Sequence, residues 1–256
     1  MAQLSEKIAL ITGSGGGIGR AIALELAKAG ADIAVNDYRN ADGIEETCRQ
    51  VRALGRRAEG FDANVADKPS VEQMFEQVVA AFGRLDIQVN NAATQVFSPL
   101  LDLSEEDWDR VIAVNLKGVF LCTQQAGRIM RAQNRGGRII NIGWGCNKVG
   151  FPNLVSYTAS KGGVETFTKV SAIELGQYGI TVNCIAPGPI ENERTKQEHP
   201  DYAGAWARLT PIGRVGYPSD IANAVRFVSL DESVYLSGQT ILLDGGLFAR
   251  SPWVDD

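Results

Sequence analysis

A glycine-rich segment directly follows the first apolar stretch of the chain, and it constrains the fold more than any other feature. Residues 7–12 predict a short strand, residues 13–19 read GSGGGIG, and residues 20–29 predict a helix that ends at Gly30. Glycines between a strand and a helix let the backbone approach a pyrophosphate closely, while the helix N-terminus offers free N–H groups and a positive dipole end. In this strand–turn–helix context the segment indicates a dinucleotide-binding turn.

Strands and helices alternate along the rest of the chain, which is the pattern of a parallel sheet covered by helices on both faces. The further predicted strands are residues 32–36, 56–61, 85–89, 138–142, 180–185 and 240–243. Helices are predicted between them, the first of these opened by a capping box of Asp42 and Glu45. With 256 residues, 45% of them hydrophobic, the chain can bury a large core. We therefore predict an α/β fold, a single-domain, doubly wound, Rossmann-like parallel sheet of about seven strands spanning residues 1–256.

The longest segment without clear periodicity is 187–217. A loop of that length inside a compact domain is usually functional and commonly closes over a site. We therefore predict that residues 187–217 form a substrate lid.

Charge and cysteine usage exclude several classes of function. The net charge is −5 without any block of like charges, which argues against a nucleic-acid surface. No stretch of 18 apolar residues and no signal sequence is visible, so we expect neither a membrane span nor secretion, but a cytoplasmic protein. No pair of cysteines has a metal-ligand spacing and His199 is the one histidine, so we expect no metal. The cysteines, expected to be buried free thiols, are Cys48, Cys122, Cys146 and Cys184.

Tyr157 and Lys161 are four residues apart in the helix predicted from about Ser156 to Gln177. Residues i and i+4 lie on the same helix face, so both groups reach one small volume. A nearby ammonium group favours the ionised form of a phenol. The pair is therefore suited to passing a proton to or from a substrate oxygen.

Asp37 stands at the end of the second predicted strand, 18 residues after Gly19. A carboxylate there can accept hydrogen bonds from the adenosine ribose hydroxyls and would repel a 2′-phosphate, so we expect NAD, with NADP less favoured. Arg39 lies close by and could hold such a phosphate. A simple turn residue is the alternative interpretation of Asp37.

The pattern Thr12-Gly13-x-x-x-Gly17-x-Gly19 resembles the glycine motif of the short-chain dehydrogenase/reductase family, and the segment 90–93, Asn-Asn-Ala-Ala, resembles that family's Asn-Asn-Ala-Gly. The resemblance extends over nearly the whole chain. It implies an adenine contact at residues 62–63 and a nicotinamide contact at residues 187–192. The cofactor-binding residues expected from it are Thr12, Gly13, Gly17, Ile18, Gly19, Asp37, Asp62, Ala63, Asn91, Ala92, Lys161, Pro187, Gly188, Ile190 and Asn192.

The same resemblance assigns catalytic roles. Tyr157 would be the acid/base, Lys161 would hold the nicotinamide ribose, and Asn115 would hold a water through its backbone carbonyl. Asparagine is a poor helix-interior residue, so we predict a locally disturbed helical turn at Asn115. The family's substrate-binding serine lies 13 residues before the tyrosine, but position 144 is Trp144. An indole donates through one N–H and accepts nothing.

Three explanations of Trp144 stay open. Another donor could replace the serine, with Asn147 and Asn153 as candidates and the indole N–H as a weaker one. The pocket could be reshaped so that the indole packs on the substrate. Alternatively, hydride transfer could be impaired, leaving a non-catalytic dinucleotide-binding protein. Losing one such donor typically costs about 2.7–4 kcal/mol of barrier, which still leaves activity, so we expect an enzyme.

We therefore expect an NAD-dependent oxidoreductase that interconverts a secondary alcohol and a ketone, and, from the resemblance, a homotetramer. The charged residues of segment 187–217 favour a small polar substrate such as a sugar, polyol or keto acid. An apolar ligand is an alternative, because the chain also has apolar residues such as Phe97, Leu100 and Phe151. A 3-oxoacyl thioester is another alternative, since an acyl carrier could meet a basic patch formed by Arg128, Arg131 and Arg135.

Overall fold

The computed structural model describes residues 3–145 and 149–249. Its strands are β1 (Ile8–Ile11), β2 (Asp32–Asp37), β3 (Ala58–Asp62), β4 (Ile87–Asn90), β5 (Gly137–Ile142), β6 (Ile180–Pro187) and β7 (Thr240–Leu243). Its α-helices are α1 (Gly17–Lys28), α2 (Ala41–Ala53), α3 (Lys68–Phe82), α4 (Glu105–Ile112), α5 (Gly118–Gln133), α6 (Val155–Gly176), α7 (Glu193–Glu198), α8 (Tyr202–Leu209) and α9 (Pro218–Ser229). A π-helical turn, Ala113–Lys117, joins α4 to α5, and short 3-10 turns occupy Asp231–Ser233 and Leu247–Ala249.

The strands form one parallel sheet in the order β3-β2-β1-β4-β5-β6-β7. Strand β1 pairs with β2 on one side and with β4 on the other, so the strand order reverses there. In open α/β sheets a ligand binds in the crevice at the carboxyl ends of the strands beside this switch point. The predicted doubly wound, seven-stranded sheet is confirmed.

The sheet has an apolar layer on each face. Ala9 and Ile11 of β1 pack on one side with residues of α1 and α9, while Leu10 packs on the other side with residues of α3 and α5. This alternation is expected, because successive side chains of a strand point to opposite faces. Both faces of the central strands are thus buried.

Side-chain caps mark the starts of α2, α3 and α4. Asp67 accepts a hydrogen bond from the Ser70 N–H at the start of α3, and Ser104 accepts one from the Asp107 N–H at the start of α4, as predicted. The predicted capping box of α2 is wrong. Asn40, two residues before Asp42, is its N-cap and accepts from the Gly43 N–H at 3.2 Å.

Segment 187–217 is more regular than its sequence suggests, because it contains α7 and α8. Asn192 caps α7 through reciprocal bonds, in which the Thr195 N–H donates to Asn192 Oδ1 at 3.0 Å and the Asn192 N–H donates to Thr195 Oγ1 at 2.8 Å. Helix α8 contains no buried residue. Its side chains therefore lie over the rest of the protein without entering the core.

Two kinds of site are absent from the described residues. Within residues 3–145 and 149–249, no helix has the length and apolar character needed to cross a membrane. Across the same ranges no group of three or more His, Cys, Asp or Glu side chains is placed to hold a metal ion. Cys48, Cys122 and Cys184 are buried free thiols, whereas Cys146 lies outside the described residues.

Candidate active site

Two adjoining cavities open at the carboxyl ends of the strands. The first, of about 690 Å³, lies beside the glycine-rich turn and the end of β2. The second, of about 590 Å³, lies beside α6 and segment 187–217. Five residues line both cavities, namely Ile18, Asn91, Ala93, Asn192 and Arg194. One elongated ligand can therefore extend from the first cavity into the second.

The glycine-rich turn fits a phosphate group. Gly13 has a φ of +63°, and a Cβ there would lie 2.8 Å from the Ala92 Cα; a Cβ on Gly19 would overlap the carbonyl oxygen of Gly13. Helix α1 has Gly16 as its N-cap without a side-chain capping bond, and no acidic residue lies in its first turn. Gly16, Ile18 and Gly19 line the first cavity. The first-turn N–H groups are thus available to an anion at this helix end.

Thr12 and Asn91 join the ends of β1 and β4 beneath the two cavities. Thr12 Oγ1 accepts from the N–H groups of Asn91 and Ala92 at 3.0 and 3.1 Å. The Asn91 side-chain amide donates to the carbonyl oxygens of Thr12 and Gly13, both at 2.9 Å. Thr12 itself does not line either cavity. Its role is to hold the backbone of residues that do.

Asp37, at the end of β2, lines the first cavity. One carboxylate oxygen accepts from the Gly15 N–H at 3.2 Å and from the Asn40 amide at 2.9 Å, and the other accepts from the Tyr38 N–H at 2.9 Å. These bonds fix the carboxylate against the glycine-rich turn. A carboxylate has about four lone-pair sites, so one acceptor position remains for a ligand hydroxyl.

The structure separates the two residues expected beside an adenine ring. Ala63 lines the first cavity with Asn64 and Val65. Asp62 is exposed, lies outside the lining, and accepts from the Arg39 N–H at 3.0 Å. Gly17, another of the expected cofactor-binding residues, has a φ of +51° and is the first residue of α1, but it lines neither cavity. Among the residues expected near the other end of a dinucleotide, Pro187, Gly188, Ile190 and Asn192 all line the second cavity.

Tyr157 and Lys161 lie one turn apart on α6, and both line the second cavity. The Lys161 ammonium is 5.7 Å from the centre of the Tyr157 ring and donates to the Ile142 carbonyl oxygen at 2.7 Å. Lys161 is 2% exposed. Burial lowers the pKa of Lys161 to about 8, and the neighbouring Cys184 opposes that shift. The Ile142 carbonyl thus holds a buried ammonium whose pKa lies below that of an exposed lysine.

Asn115 lies in the π-helical turn Ala113–Lys117, so the predicted disturbance of the helix is confirmed. Its fully buried amide accepts from the Thr94 N–H at 2.8 Å and donates to the Thr94 carbonyl at 2.9 Å and to Ser160 Oγ at 3.1 Å. Asn115 therefore ties the loop after β4 to α6, the helix of Tyr157. Its carbonyl's role in holding a water stays a prediction.

Trp144 lines the second cavity next to Tyr157. The two ring centres are 5.1 Å apart with an interplanar angle of 77°, and the Phe151 ring lies 5.3 Å from the indole. A hydroxyl residue could not simply move to position 143, because a Cβ on Gly143 would lie 2.6 Å from Cys184 Sγ. Packing against β6 thus leaves Trp144 as the side chain at the end of β5 that faces Tyr157.

Of the two asparagines considered as substitute donors, one can be placed relative to the second cavity. Asn153 is exposed, has a φ of +66° and contacts Ser98 through its backbone carbonyl, but does not line the cavity. Asn147 lies outside the described residues.

Sequence reasoning missed several residues of the second cavity. Gln95 follows the Asn-Asn-Ala-Ala segment, and Tyr202, Ala205 and Leu209 join Trp206 on one side of α8. The signal for α8 was present, because positions 202, 205, 206 and 209 follow the i, i+3, i+4, i+7 spacing of an amphipathic helix. The neighbouring charged residues obscured it. No comparable signal marks Gln95.

Comparisons with known proteins agree with this geometry. A family model described as enoyl-(acyl carrier protein) reductase matches residues 13–248. The chain is 41% identical to the 3-oxoacyl-[acyl-carrier-protein] reductase FabG of Staphylococcus aureus over 242 residues, covering 94% of this chain and 98% of that protein. It is 40% identical over 251 residues to BbsD of Thauera aromatica, a subunit of (2S)-[(R)-hydroxy(phenyl)methyl]succinyl-CoA dehydrogenase, covering 96% and 99% of the two chains.

Comparison with a solved structure supports the same family. The acetoin dehydrogenase of Enterobacter cloacae superposes with a TM-score of 0.89 at 36% identity, over 98% of this chain and 99% of that one. The family predicted from the glycine-rich turn and the Tyr157–Lys161 pair is thereby confirmed. The chain belongs to the short-chain dehydrogenase/reductase family.

Proposed function

We propose that this protein is an NAD-dependent oxidoreductase that interconverts a secondary alcohol and a ketone, with Tyr157 as general acid/base. Membership of the family supports an oxidoreductase that acts on CH–OH and keto groups. One observation carries the proposal: Tyr157 and Lys161 line a cavity that adjoins the cavity of the glycine-rich turn.

The residues of the two cavities fit a nicotinamide dinucleotide. Gly13, Gly16 and Gly19 give a phosphate access to the N-terminus of α1, and Asp37 would accept from the adenosine ribose. The lining of the second cavity by residues 187–190 suits the nicotinamide end. When bound, the dinucleotide supplies a hydride in the reducing direction and accepts one in the oxidising direction.

The protein's own contribution is the proton. In reduction, the Tyr157 hydroxyl donates its proton to the ketone oxygen, and in oxidation the ionised phenol takes it from the alcohol. The positive charge of Lys161 favours the ionised phenol. Asn115 maintains the distance between α6 and the loop after β4, because its amide bonds to both Thr94 and Ser160.

The preference for NAD rests on Asp37. A 2′-phosphate at the adenosine ribose would meet a carboxylate that is held in place by its bonds to Gly15 and Asn40. Arg39 is poorly placed to hold a 2′-phosphate, although it lies close to Asp37 in the sequence. Its guanidinium lies over the Tyr38 ring at 5.0 Å, and Arg39 does not line the first cavity.

The expectation of a small polar substrate has weaker support in this geometry. Lys196 pairs with Glu191 at 3.5 Å, and Arg208 pairs with Asp201 at 3.1 Å. Much of the charge in segment 187–217 is therefore engaged within the segment. The 3-oxoacyl thioester alternative has support in the name of the Staphylococcus aureus relative. The homotetramer and the cytoplasmic location stay predictions.

Replacing Tyr157 with Phe tests the mechanism. The ring contact with Trp144 stays, but the proton is lost, so we expect kcat to fall by about 10²- to 10⁴-fold. Turnover is measured from nicotinamide absorbance with a panel of ketones and secondary alcohols, and NADH affinity from a fluorescence titration that should be unchanged. Tyr178→Phe, at a tyrosine outside both cavities, is the matched control. Equal turnover in Tyr157→Phe and the native protein would refute the proposal.

Trp144 supports a second candidate, a dinucleotide-binding protein without turnover, since no serine hydroxyl stands at position 144. This candidate predicts NADH binding without an absorbance change for any substrate in the panel. The variant Trp144→Ser separates the two functions. Gain of turnover from an inactive protein supports the second candidate, whereas loss of existing turnover places the indole in a working pocket.

A further inference from the structure

Aromatic side chains from three separate parts of the chain meet along one side of the second cavity. Trp144 follows β5, Phe151 lies before α6, and Tyr202 and Trp206 belong to α8. From Tyr157 outward, successive ring centres are 5.1 Å (Trp144), 5.3 Å (Phe151), 6.4 Å (Trp206) and 6.3 Å (Tyr202) apart. We call Trp144, Phe151, Tyr202 and Trp206 the aromatic wall.

The aromatic wall begins at the proposed proton donor. Each spacing lies within the 4.5–7 Å range of favourable ring contacts, so the rings support one another. At these separations no further ring fits between two neighbours, and a ligand must pack against the wall from the cavity side. Aromatic side chains have few rotatable bonds, so they offer a large contact area at a low cost in conformational entropy.

The charges of the cavity select among ligands that an aromatic wall could attract. Rings also bind cations. Lys161 and Arg194 are, however, basic residues of the described lining, and no Asp or Glu side chain is among those lining residues. A cationic ligand would therefore meet basic side chains and no carboxylate of that lining. The occupant is therefore neutral or anionic.

Hydrogen-bonding capacity argues against a polyol. The Thr195 hydroxyl in this lining is buried and bonded to backbone groups of Ile190 and Asn192. A sugar hydroxyl packed on a ring face of the aromatic wall would lose its bonds to water without replacement, which is unfavourable. A flat, apolar group loses nothing there.

The volume is sufficient for such a group. An apolar cavity of about 150 Å³ holds benzene, and this cavity measures about 590 Å³. The part next to residues 187–190 would hold the nicotinamide. The remainder holds one or two rings together with the reacting carbon.

We propose that the substrate is a neutral or anionic secondary alcohol or ketone bearing an aryl group, with the aryl group against the aromatic wall and the reacting oxygen at Tyr157. This inference rests on the proposed function and names its substrate class. Trp144 is then a specificity-determining residue, because its indole joins the wall to Tyr157.

The test compares three ketones that have the same number of carbons and an unconjugated carbonyl group. Phenylacetone and cyclohexylacetone have the same carbon skeleton and differ in the aromaticity of the ring, and 2-nonanone has a linear chain. We expect kcat/KM for phenylacetone to exceed the values for both others by about 3- to 10-fold, since each ring contact contributes beyond its buried area. Trp206→Leu and Phe151→Leu should reduce this preference, whereas Trp108→Leu, at a tryptophan of α4 outside both cavities, should keep it.

Binding of 1-phenylethanol and 1-cyclohexylethanol to the protein with NADH, followed by ligand-observed NMR, provides a readout without turnover. Tighter binding of the aryl alcohol, lost in Trp206→Leu, supports the inference even when no ketone is reduced, and in that case the proposed function alone fails. Equal or better use of the cyclohexyl and linear ketones would overturn the inference. A preference that survives in both wall variants would also overturn it, while leaving the oxidoreductase function intact.

Discussion

Exchange of Asp37 for Ser should convert the preference for NAD into a preference for NADP. The carboxylate of Asp37 is held by three hydrogen bonds, from Gly15, Tyr38 and Asn40. These bonds hold it beside the first cavity, which it lines. The serine hydroxyl is shorter and uncharged, so it removes both an acceptor for the ribose and a repulsion toward a 2′-phosphate.

Each part of this change has an expected size. A hydrogen bond to a charged group contributes about 1.5–3 kcal/mol, and tenfold in affinity corresponds to about 1.4 kcal/mol. NADH should therefore lose about 10- to 100-fold in kcat/KM. Two unit like charges about 5 Å apart repel by about 3 kcal/mol at an effective dielectric constant of about 20. Because the site is partly exposed, we expect about 1–3 kcal/mol, and NADPH should gain about 5- to 100-fold.

The assay is the ratio of kcat/KM for NADH to that for NADPH with one fixed ketone, measured at low and high salt. The ratio should fall by about 50- to 10⁴-fold in Asp37→Ser. In the native protein NADPH should be used better at high salt, because salt screens the repulsion. Asp42→Ser makes the same change at an exposed residue in the first turn of α2 that does not line the cavity. A change of less than about tenfold in Asp37→Ser, or an equal change in Asp42→Ser, would refute the reasoning.

Two further predictions concern the glycine-rich turn and the buried ammonium. Gly19→Ala should destabilise the fold by about 1–3 kcal/mol in urea unfolding, because its Cβ overlaps the Gly13 carbonyl. Gly16→Ala, with no atom within 4 Å of its Cβ, should fold normally but bind NADH more weakly. A destabilised Gly16→Ala together with a normally folded Gly19→Ala would contradict the proposed phosphate site. Burial lowers the pKa of Lys161 from 10.5 to about 8, so between these pH values the unfolded chain holds a proton that the folded chain has released. The free energy of unfolding of the native protein minus that of Lys161→Met should therefore rise above pH 8 by up to about 1.4 kcal/mol per pH unit, and a difference that stays flat or falls contradicts the assignment.

The fold could be predicted from the sequence because its signals are local. The apolar strand before Gly13, the caps at Asp67 and Ser104 and the alternation of strands with helices each act within a few residues. The local signals fail where two candidates compete. Asn40 and Asp42 are both good N-cap residues, and only the path of the chain after β2 brings Asn40 to the start of α2.

The part of the site that lies on one helix could be predicted from the sequence. Tyr157 and Lys161 share a face of α6, so their spacing was enough. The placement of Asp62 outside the cavity could not be predicted in this way, because it depends on the backbone of Arg39. That residue has a positive φ of 54°, and its N–H donates to the Asp62 carboxylate. The aromatic wall depended on contacts between residues 144, 151 and 206, which are distant in sequence and have no pattern in common.

The position of β1 in the sheet has a consequence for the order in which the molecule can assemble. Strand β1 is made first but lies between β2 and β4, and β4 begins at Ile87. During synthesis, one edge of β1 has no partner until about 75 further residues have been added, which takes about 4–15 s at 5–20 residues per second. Through that interval the nascent chain presents an apolar strand edge, a template for pairing with other chains. Arrival of β4 closes this edge and, through Thr12 and Asn91, completes the floor beneath both cavities in the same event.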